Sequence, residues 1–201
     1  MARHGHAASN VRDVVSGRPP GEGLSALGVE QALALREQLA GEPIELGVAT
    51  ELRRTQETLD LALAGRAPTL VLPALNEIDF GRYEGGPLAD YREWAWSTEP
   101  DVPCPGGGES RVALAARLAD GLEQLLERAE RLVLVVAHAL PVRYVIDASD
   151  SLFPAARIEH VPHATPYTFT AQQVEAALDA LRLWIEQPRF VDEDDEPCAG
   201  S

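Results

Sequence analysis

The chain has 201 residues, of which 45% are hydrophobic, and this length and apolar content predict one compact α/β domain rather than two. Its formal net charge of -15 argues against a nucleic-acid or anionic-membrane partner, because both are bound through clusters of basic residues, so an anionic ligand would have to meet a local positive pocket. Only Cys104 and Cys198 are present, which supports neither a disulfide framework nor a cysteine zinc site, and the absence of a signal-peptide pattern or a long apolar run favours a cytoplasmic location.

The first feature along the chain is a compact cationic cluster, Arg3-His4-Gly5-His6. A guanidinium beside an imidazole suits an oxyanion such as a phosphoryl group, because the arginine can hold the charge while the ring attacks. A nucleophile also needs a rigid support. Met1 and Ala2 are too few residues to predict a strand or helix that would hold His4 in place.

The next hundred residues alternate between predicted helices and strands. A helix is expected to begin after Ser25 and to end near Gly41. A short strand at residues 46–49 then leads into a helix over residues 51–63, and residues 69–72 form another β-prone run. This order is typical of strands that feed helices packed on a sheet.

Residues 82–108 are rich in glycine, proline and aromatic side chains, and we expect a long, partly helical excursion there. Glu109 and Ser110 begin a predicted helix with apolar residues at helical spacing as far as Leu125. The continuous Val/Leu run at residues 132–137 indicates a strand buried on both faces of a parallel sheet.

The last part of the chain is predicted to contain two short strands, at residues 157–161 and 167–170, and a closing amphipathic helix at residues 174–184. We therefore expect a single domain over residues 1–190, followed by an acidic, disordered tail at residues 191–201. The fold class is a three-layer α/β sandwich with a mostly parallel sheet flanked by helices.

Ligands of open α/β sheets bind at the carboxyl ends of the strands, which is where the chemically useful residues fall. Arg54 and His138 come just after two predicted strands, and Glu77 follows a third after a short turn. Together with Arg3 and His4 they would place two arginines, two histidines and one acid at one rim. Arginines can hold phosphoryl oxygens, an imidazole can attack phosphorus, and an acid can protonate the leaving alcohol.

These residues lie in segments that resemble the histidine phosphatase superfamily, the phosphoglycerate mutase-like group. The strongest matches are Arg3-His4-Gly5-His6, residues 52–58, residues 75–81 and the strand-borne His138. Weaker matches follow the same order, at residues 24–32, 83–85 and 107–110, the last before a helix that carries Arg117. The resemblance covers nearly the whole chain.

The resemblance implies a role for each of six residues and requires no metal and no cofactor, because the arginines and histidines supply the positive charge. His4 would be the nucleophile that is transiently phosphorylated; Arg3, Arg54 and His138 would bind the phosphoryl group; Glu77 would act as general acid and then base; and Asn10 would add a hydrogen bond to the phosphate.

Some neighbouring residues leave alternatives open. Asp79, Glu84 and Glu109 are also candidates for the acid, although Glu77 is favoured. Arg53 is predicted to be a solvated helix charge. The remaining histidines, His6, His160 and His163, are expected to be structural, and the aromatic residues Tyr91, Trp94 and Trp96 are expected to pack in a lid or core rather than to bind substrate.

Two features depart from the family pattern. Ala139 follows His138 where many relatives have glycine, and its methyl group would narrow the phosphate pocket. Relatives also carry a central strand before the Arg-His-Gly motif, and this first strand is apparently truncated here. Our hypothesis is that the start of the chain was assigned late or truncated, with Met1 and Ala2 as the end of that strand.

The expected activity is that of a phosphatase that hydrolyses small phosphate monoesters through a phosphohistidine. A cofactor-dependent phosphoglycerate mutase is the first alternative, and a non-catalytic phosphate-binding module, with His4 disabled by the short N-terminus, is the second. The expected partner is a small phosphorylated substrate. Its alcohol half would be selected by residues 82–108, and the sequence predicts neither that half nor the oligomeric state.

Overall fold

A computed structural model describes residues 1–190, and the predicted acidic tail at residues 191–201 lies outside the described residues. The sheet has four parallel strands in the order β1-β4-β2-β3. These are β1 (Ala2–Arg3), β2 (Leu46–Ala49), β3 (Thr69–Val71) and β4 (Val133–Ala137).

Seven α-helices are formed by the described residues: α1 (Ala8–Val11), α2 (Ala26–Gln38), α3 (Arg53–Leu63), α4 (Leu88–Trp96), α5 (Arg111–Leu126), α6 (Ala139–Ser149) and α7 (Ala171–Glu186). Two short 3-10 turns lie at Pro73–Leu75 and Gly81–Tyr83. Among residues 1–190, no helix combines the length and the apolar character needed to cross a membrane.

Side-chain oxygens mark the beginnings of three helices. Ser25 accepts a hydrogen bond from the backbone of Gly28, and Ser110 accepts one from Ala113, so α2 and α5 begin where the sequence predicts. Thr170 caps α7 in the same way and exchanges bonds with Gln173 as a capping box. The predicted closing helix therefore starts three residues earlier than its apolar pattern suggests.

The sheet lies between two helical layers, which confirms the predicted fold class. Alternate residues of β4 point to opposite faces: Val135 and Ala137 pack in a larger core with α5, α6 and α7, whereas Leu134 and Val136 pack in a smaller core with α2 and α3. Both faces of the central strands are therefore covered, as their continuous apolar sequence predicts.

The first strand is short but not absent, and it gives His4 the support that the sequence did not predict. β1 pairs with the last two residues of β4, and its other edge forms bridges to His163 and Pro166. The backbone N–H of His4 then donates to the carbonyl oxygen of Ala137 at 2.9 Å. The His163 ring donates through Nδ1 to the His4 carbonyl oxygen at 2.8 Å, so the residue is held from both sides.

Two predicted strands are wrong, and two helices were not predicted. Residues 157–161 and 167–170 form neither strand nor helix, because this region contacts β1 only through single bridges. The unpredicted helices are the four-residue α1 and α6, which begins directly after His138. Residues 82–108 contain α4, so the expectation of a partly helical excursion is confirmed.

Candidate active site

A cavity of about 300 Å³ opens at the carboxyl ends of the strands. Arg3 and His4 enter it from the end of β1, Arg54 from the first turn of α3 after β2, and Glu77 from the loop after β3. Asn10 also lines it. The fold thus gathers residues that are 74 positions apart in the sequence, as expected for a site where parallel strands end.

The His4 ring is fixed in one neutral form by its own neighbour. The side chain is only 3% exposed, and its Nδ1 lies 2.7 Å from the carbonyl oxygen of Gly5. A carbonyl oxygen can only accept, so Nδ1 carries the proton and Nε2 keeps a lone pair. That Nε2 accepts a hydrogen bond from Arg54 Nε at 3.0 Å.

The surroundings of His4 favour this neutral form. Burial lowers the pKa of His4 well below its ordinary value, and the nearby charges of Arg54, His138 and Arg3 lower it further. The carbonyl of Gly5 acts in the opposite direction but does not reverse the shift. His4 therefore presents an unprotonated nitrogen at neutral pH, as a nucleophile requires.

Arg54 connects the two histidines. It is 3% exposed, and its Nη2 donates to the Ser16 carbonyl oxygen at 2.8 Å and to His138 Nδ1 at 3.1 Å. Its Nη1 is buried without a hydrogen-bond partner among residues 1–190. Burial lowers the pKa of Arg54 to about 10, so the guanidinium stays charged at neutral pH.

Arg3 provides a second guanidinium, which is partly buried. Its Nη1 donates to the Val161 carbonyl oxygen at 2.8 Å, while Nε is buried and unpaired within the described part of the chain. Burial lowers its pKa to about 10, which again leaves the charge in place. A buried N–H without an acceptor is unfavourable, so the unpaired groups of Arg3 and Arg54 are suited to an incoming anion.

His138 lies behind Arg54 and is fully buried. Its Nδ1 accepts from Arg54, so Nε2 carries the proton and donates to Thr50 Oγ1 at 2.9 Å. Burial lowers the pKa of His138 well below its ordinary value, with Arg54 as the next cause. The ring is 5.3 Å from that of His4 but is not among the residues that line the cavity, whereas the sequence predicts direct contact with the phosphoryl group.

Glu77 lines the cavity. Burial raises the pKa of its carboxyl group, although Arg54 and Arg3 act to lower it. Its backbone is fixed by Arg117, which donates to the Asn76 and Glu77 carbonyl oxygens at 2.6 and 2.9 Å. Arg117 is itself held by an ion pair with Glu109 at 2.7 Å.

The three alternative acids are engaged elsewhere and do not line the cavity. Asp79 accepts from the backbone N–H of Gly81 at 2.8 Å, and Glu84 accepts from that of Gly17 at 2.9 Å. Glu109 pairs with Arg117. Among the four acids considered, Glu77 alone lines the cavity.

Three further predicted features can be compared with the structure. Asn10 lines the cavity, with its Oδ1 accepting from the Ala7 backbone at 2.9 Å. Ala139 also lines it, as the first residue of α6. Arg53 is exposed and forms an ion pair with Glu57 at 2.6 Å, which confirms the prediction of a solvated helix charge.

Several residues hold the site residues in place but were not predicted to belong to the site. Thr50 holds His138, and Thr58 Oγ1 accepts the backbone N–H of Gly5 at 2.9 Å. His163 was predicted to be structural, and its ring contacts the His4 backbone. Thr50 could have been found, because it directly follows β2 at the edge where ligands bind.

Two glycines set the path of the chain beside His4. A Cβ atom at Gly5 would lie 2.6 Å from the carbonyl oxygen of Gly28, and a Cβ atom at Gly28 would collide with the carbonyl oxygen of His6. The backbone of α2 therefore touches that of the Arg-His-Gly motif directly.

Comparison with known proteins agrees with this geometry. The model of the histidine phosphatase superfamily (branch 1) matches residues 1–182. An adenosylcobalamin/alpha-ribazole phosphatase of Escherichia coli is 32% identical over 146 residues, which cover 69% of this chain and 71% of that protein. A metal-independent phosphoserine phosphatase of Arabidopsis thaliana is 31% identical over 157 residues, which cover 72% of this chain and 65% of that protein.

Solved structures show the same relationship. The alpha-ribazole phosphatase of Shigella flexneri has a TM-score of 0.67 at 30% identity and covers 75% of this chain and 78% of its own. A mycobacterial glucosyl-3-phosphoglycerate phosphatase complexed with VO3 has a TM-score of 0.65 at 30% identity, and the match covers 78% of this chain and 81% of that chain. From the family match, the fold and the phosphatases it resembles, we conclude that the chain belongs to the histidine phosphatase superfamily and is a phosphoric monoester hydrolase.

Proposed function

We propose that this enzyme hydrolyses small phosphate monoesters through a covalent phosphohistidine on His4. The observation that carries the proposal is the hydrogen bond from His4 Nδ1 to the Gly5 carbonyl oxygen, because it leaves the Nε2 lone pair beside the arginines. A neutral imidazole held in this way can attack an electrophile without first losing a proton.

In the first step, the His4 Nε2 lone pair attacks phosphorus and the bond from phosphorus to the ester oxygen breaks. Arg3 and Arg54 stabilise the charge on the phosphoryl oxygens through their unpaired N–H groups. The alcohol leaves as its oxygen takes the proton of Glu77, whose raised pKa supports this role. The phosphorylated ring keeps its proton on Nδ1, where the Gly5 carbonyl oxygen accepts it.

In the second step, the Glu77 carboxylate takes a proton from a water molecule while the water oxygen attacks phosphorus. The P–N bond breaks, inorganic phosphate leaves, and His4 and Glu77 return to their starting states. His138 acts through Arg54: its Nδ1 accepts an Arg54 N–H and so orients the guanidinium that holds the phosphoryl group. Asn10 contributes a side-chain amide at the edge of the same cavity.

The first experiment measures phosphate release from an aryl phosphate by the wild-type enzyme and by His4→Ala. We expect steady release that is lost in His4→Ala, and an acid-labile phosphoryl group on His4 when the reaction is quenched during turnover. His6→Ala is the matched control, because that ring bonds Ser25 and does not line the cavity.

Other outcomes would contradict the proposal in different ways. Phosphoryl exchange between phosphate esters without net release would indicate a mutase. Phosphate binding without release or exchange would indicate a binding module. Full activity in His4→Ala would exclude His4 as the nucleophile.

A further inference from the structure

Another part of the cavity wall contains two buried polar side chains that the proposed chemistry does not use. Arg111, the first residue of α5, is 8% exposed, and Tyr91, in α4, is 5% exposed. Both line the same cavity as His4. Their positions therefore give them access to the part of the substrate that leaves as alcohol.

Arg111 is a buried cation with only neutral partners. Its Nη1 donates to the Tyr144 hydroxyl oxygen at 3.2 Å and its Nη2 to the Ala156 carbonyl oxygen at 3.4 Å. Its Nε has no hydrogen-bond partner, and no carboxylate of residues 1–190 forms an ion pair with it. Burial acts to lower the pKa of Arg111, but Tyr144 and Tyr91 raise it overall, so the charge is retained.

Tyr91 adds an unpaired hydroxyl group to the same region. Its ring packs edge-on against Phe80, with the two ring centroids 4.6 Å apart, which fixes the direction of the hydroxyl. That hydroxyl is buried with no partner in the described part of the chain. Burial raises the pKa of Tyr91 to about 12, so the group keeps its proton and can donate it in a hydrogen bond.

Two buried donors without an acceptor are unfavourable until an acceptor arrives, and an anion satisfies both a guanidinium and a hydroxyl. The cavity wall is also cationic, although the protein as a whole has a net charge of -15. Four arginines line it, against two carboxylates. The arginines are Arg3, Arg54, Arg92 and Arg111, and the carboxylates are Glu77 and Glu159. With Glu77 protonated, as the first step requires, the excess is three positive charges, one more than the two negative charges of a phosphate monoester.

We propose that Arg111 and Tyr91 form a second anion subsite, and that the substrate is a phosphate monoester whose alcohol half carries a carboxylate or a second phosphate. This inference rests on the proposed phosphatase function, because it places the phosphoryl group at His4 and the second anion at Arg111. The cavity volume of about 300 Å³ equals that of roughly ten water molecules, which fits a small ester with two anionic groups.

The test compares three aryl esters built on the same phenol ring, of which the last two carry a second anionic group: phenyl phosphate, carboxyphenyl phosphate and phenylene bisphosphate. We expect kcat/KM of the wild-type enzyme to be roughly tenfold higher or more for one of the two esters with a second anionic group than for phenyl phosphate. A charge-assisted hydrogen bond to that group would give a preference of this size. The ester that gains more identifies the second anion as a carboxylate or a phosphate.

Tyr91→Phe should remove most of this preference while leaving phenyl phosphate turnover unchanged, because the substitution deletes only the hydroxyl. Arg111→Gln should remove it completely. The matched control is Tyr83→Phe, since the Tyr83 hydroxyl accepts from Arg82 and does not line the cavity, and this variant should keep the preference. Tyr91→Phe decides the test alone if Arg111→Gln does not fold.

Three outcomes would overturn the subsite. The first is a wild-type enzyme that turns over phenyl phosphate without preferring either ester that carries a second anionic group. The second is an unchanged preference in Tyr91→Phe, which would mean that a water molecule in the small adjoining cavity satisfies the hydroxyl. The third is an equal loss on all three esters. Phenyl phosphate turnover through His4 tests the phosphatase proposal separately, so the two can fail independently.

Discussion

The two polar regions of the cavity differ in how their hydrogen bonds are completed. At the phosphoryl region, all four ring nitrogens of His4 and His138 have protein partners. At the other region, Tyr91 and Arg111 each keep an unpaired buried donor. In the first region both rings are held before substrate arrives and the unpaired donors are Arg3 Nε and Arg54 Nη1, whereas in the second region both side chains wait for a ligand. Substitutions at the first should therefore affect every ester, and substitutions at the second only esters with a second anionic group.

The largest effect is expected at the residue that joins the two histidines. Arg54→Ala should lower kcat/KM by about 10²–10³-fold for esters with and without a second anionic group alike, because one of the guanidinium groups that stabilise the transition-state charge is lost. Steady-state kinetics with both ester types would measure it, and thermal unfolding would check the fold. The neighbouring Arg53→Ala is the matched control, since Arg53 is exposed. Unchanged turnover in Arg54→Ala would remove this residue from the site.

Glu77→Gln should separate esters by leaving group rather than by charge. For alkyl phosphates, whose leaving group must be protonated, we expect a loss of about 10²-fold, and for aryl phosphates a loss of only a few-fold. Glu159→Gln is the control, because that carboxylate also lines the cavity but is exposed. Equal losses on alkyl and aryl phosphates would argue against Glu77 as the acid.

His163→Ala tests whether the phosphoryl region depends on the support of the His4 backbone. The substitution removes the N–H that donates to the His4 carbonyl oxygen, and we expect kcat to fall roughly tenfold with KM nearly unchanged, because the nucleophile is less well aligned. His163→Asn, whose amide can donate the same bond, should recover most of the loss. A parallel rise in KM, or no rescue by asparagine, would contradict a positioning role.

The smallest expected effect is on the acid side of the pH profile. The active form of His4 is neutral and its pKa lies well below the ordinary histidine value, so activity that requires this form is lost only as the pH falls through that lowered pKa. We expect the His4-dependent part of kcat/KM to change by less than roughly twofold between pH 6.5 and 5.5. A loss centred at the ordinary histidine pKa would contradict this prediction.

The alkaline side should depend on Glu77, because the first step needs its protonated form and burial raises its pKa. Activity is then lost as the pH rises through that pKa. Comparing the wild-type profile with that of Glu77→Gln isolates this loss, since the ionisation of the substrate is common to both. An identical alkaline limb in the two enzymes would exclude Glu77 as its source.

The elements that the sequence predicted correctly are those with a strong local signal. The Val/Leu run of β4 and the serine caps of α2 and α5 each determine their structure from adjacent residues. The helix α6 gave no such signal, because it contains Pro141 in its first turn and the β-prone residues Val142, Tyr144 and Val145. Proline is tolerated there since the first turn has no intrahelical acceptors for its N–H groups.

The same distinction applies to the site. The parallel sheet brings together residues that follow strand ends, so His4, Arg54 and Glu77 could be predicted to meet. Tyr91 and Arg111 lie on separate helices, and only the tertiary fold places both on one cavity. Tyr91 was predicted to be a packing residue, and its ring does pack on Phe80, but the sequence carries no sign that its hydroxyl is unpaired.

The direct contact between Gly5 and Gly28 bears on how tolerance to mutation should be interpreted in this enzyme. Every non-glycine residue has a Cβ atom, so a complete substitution scan should find positions 5 and 28 as intolerant as His4, although neither glycine performs any chemistry. The two positions would also fail to rescue each other, since each clash is with a carbonyl oxygen rather than with a side chain. In this protein, intolerance to substitution does not by itself identify a catalytic residue.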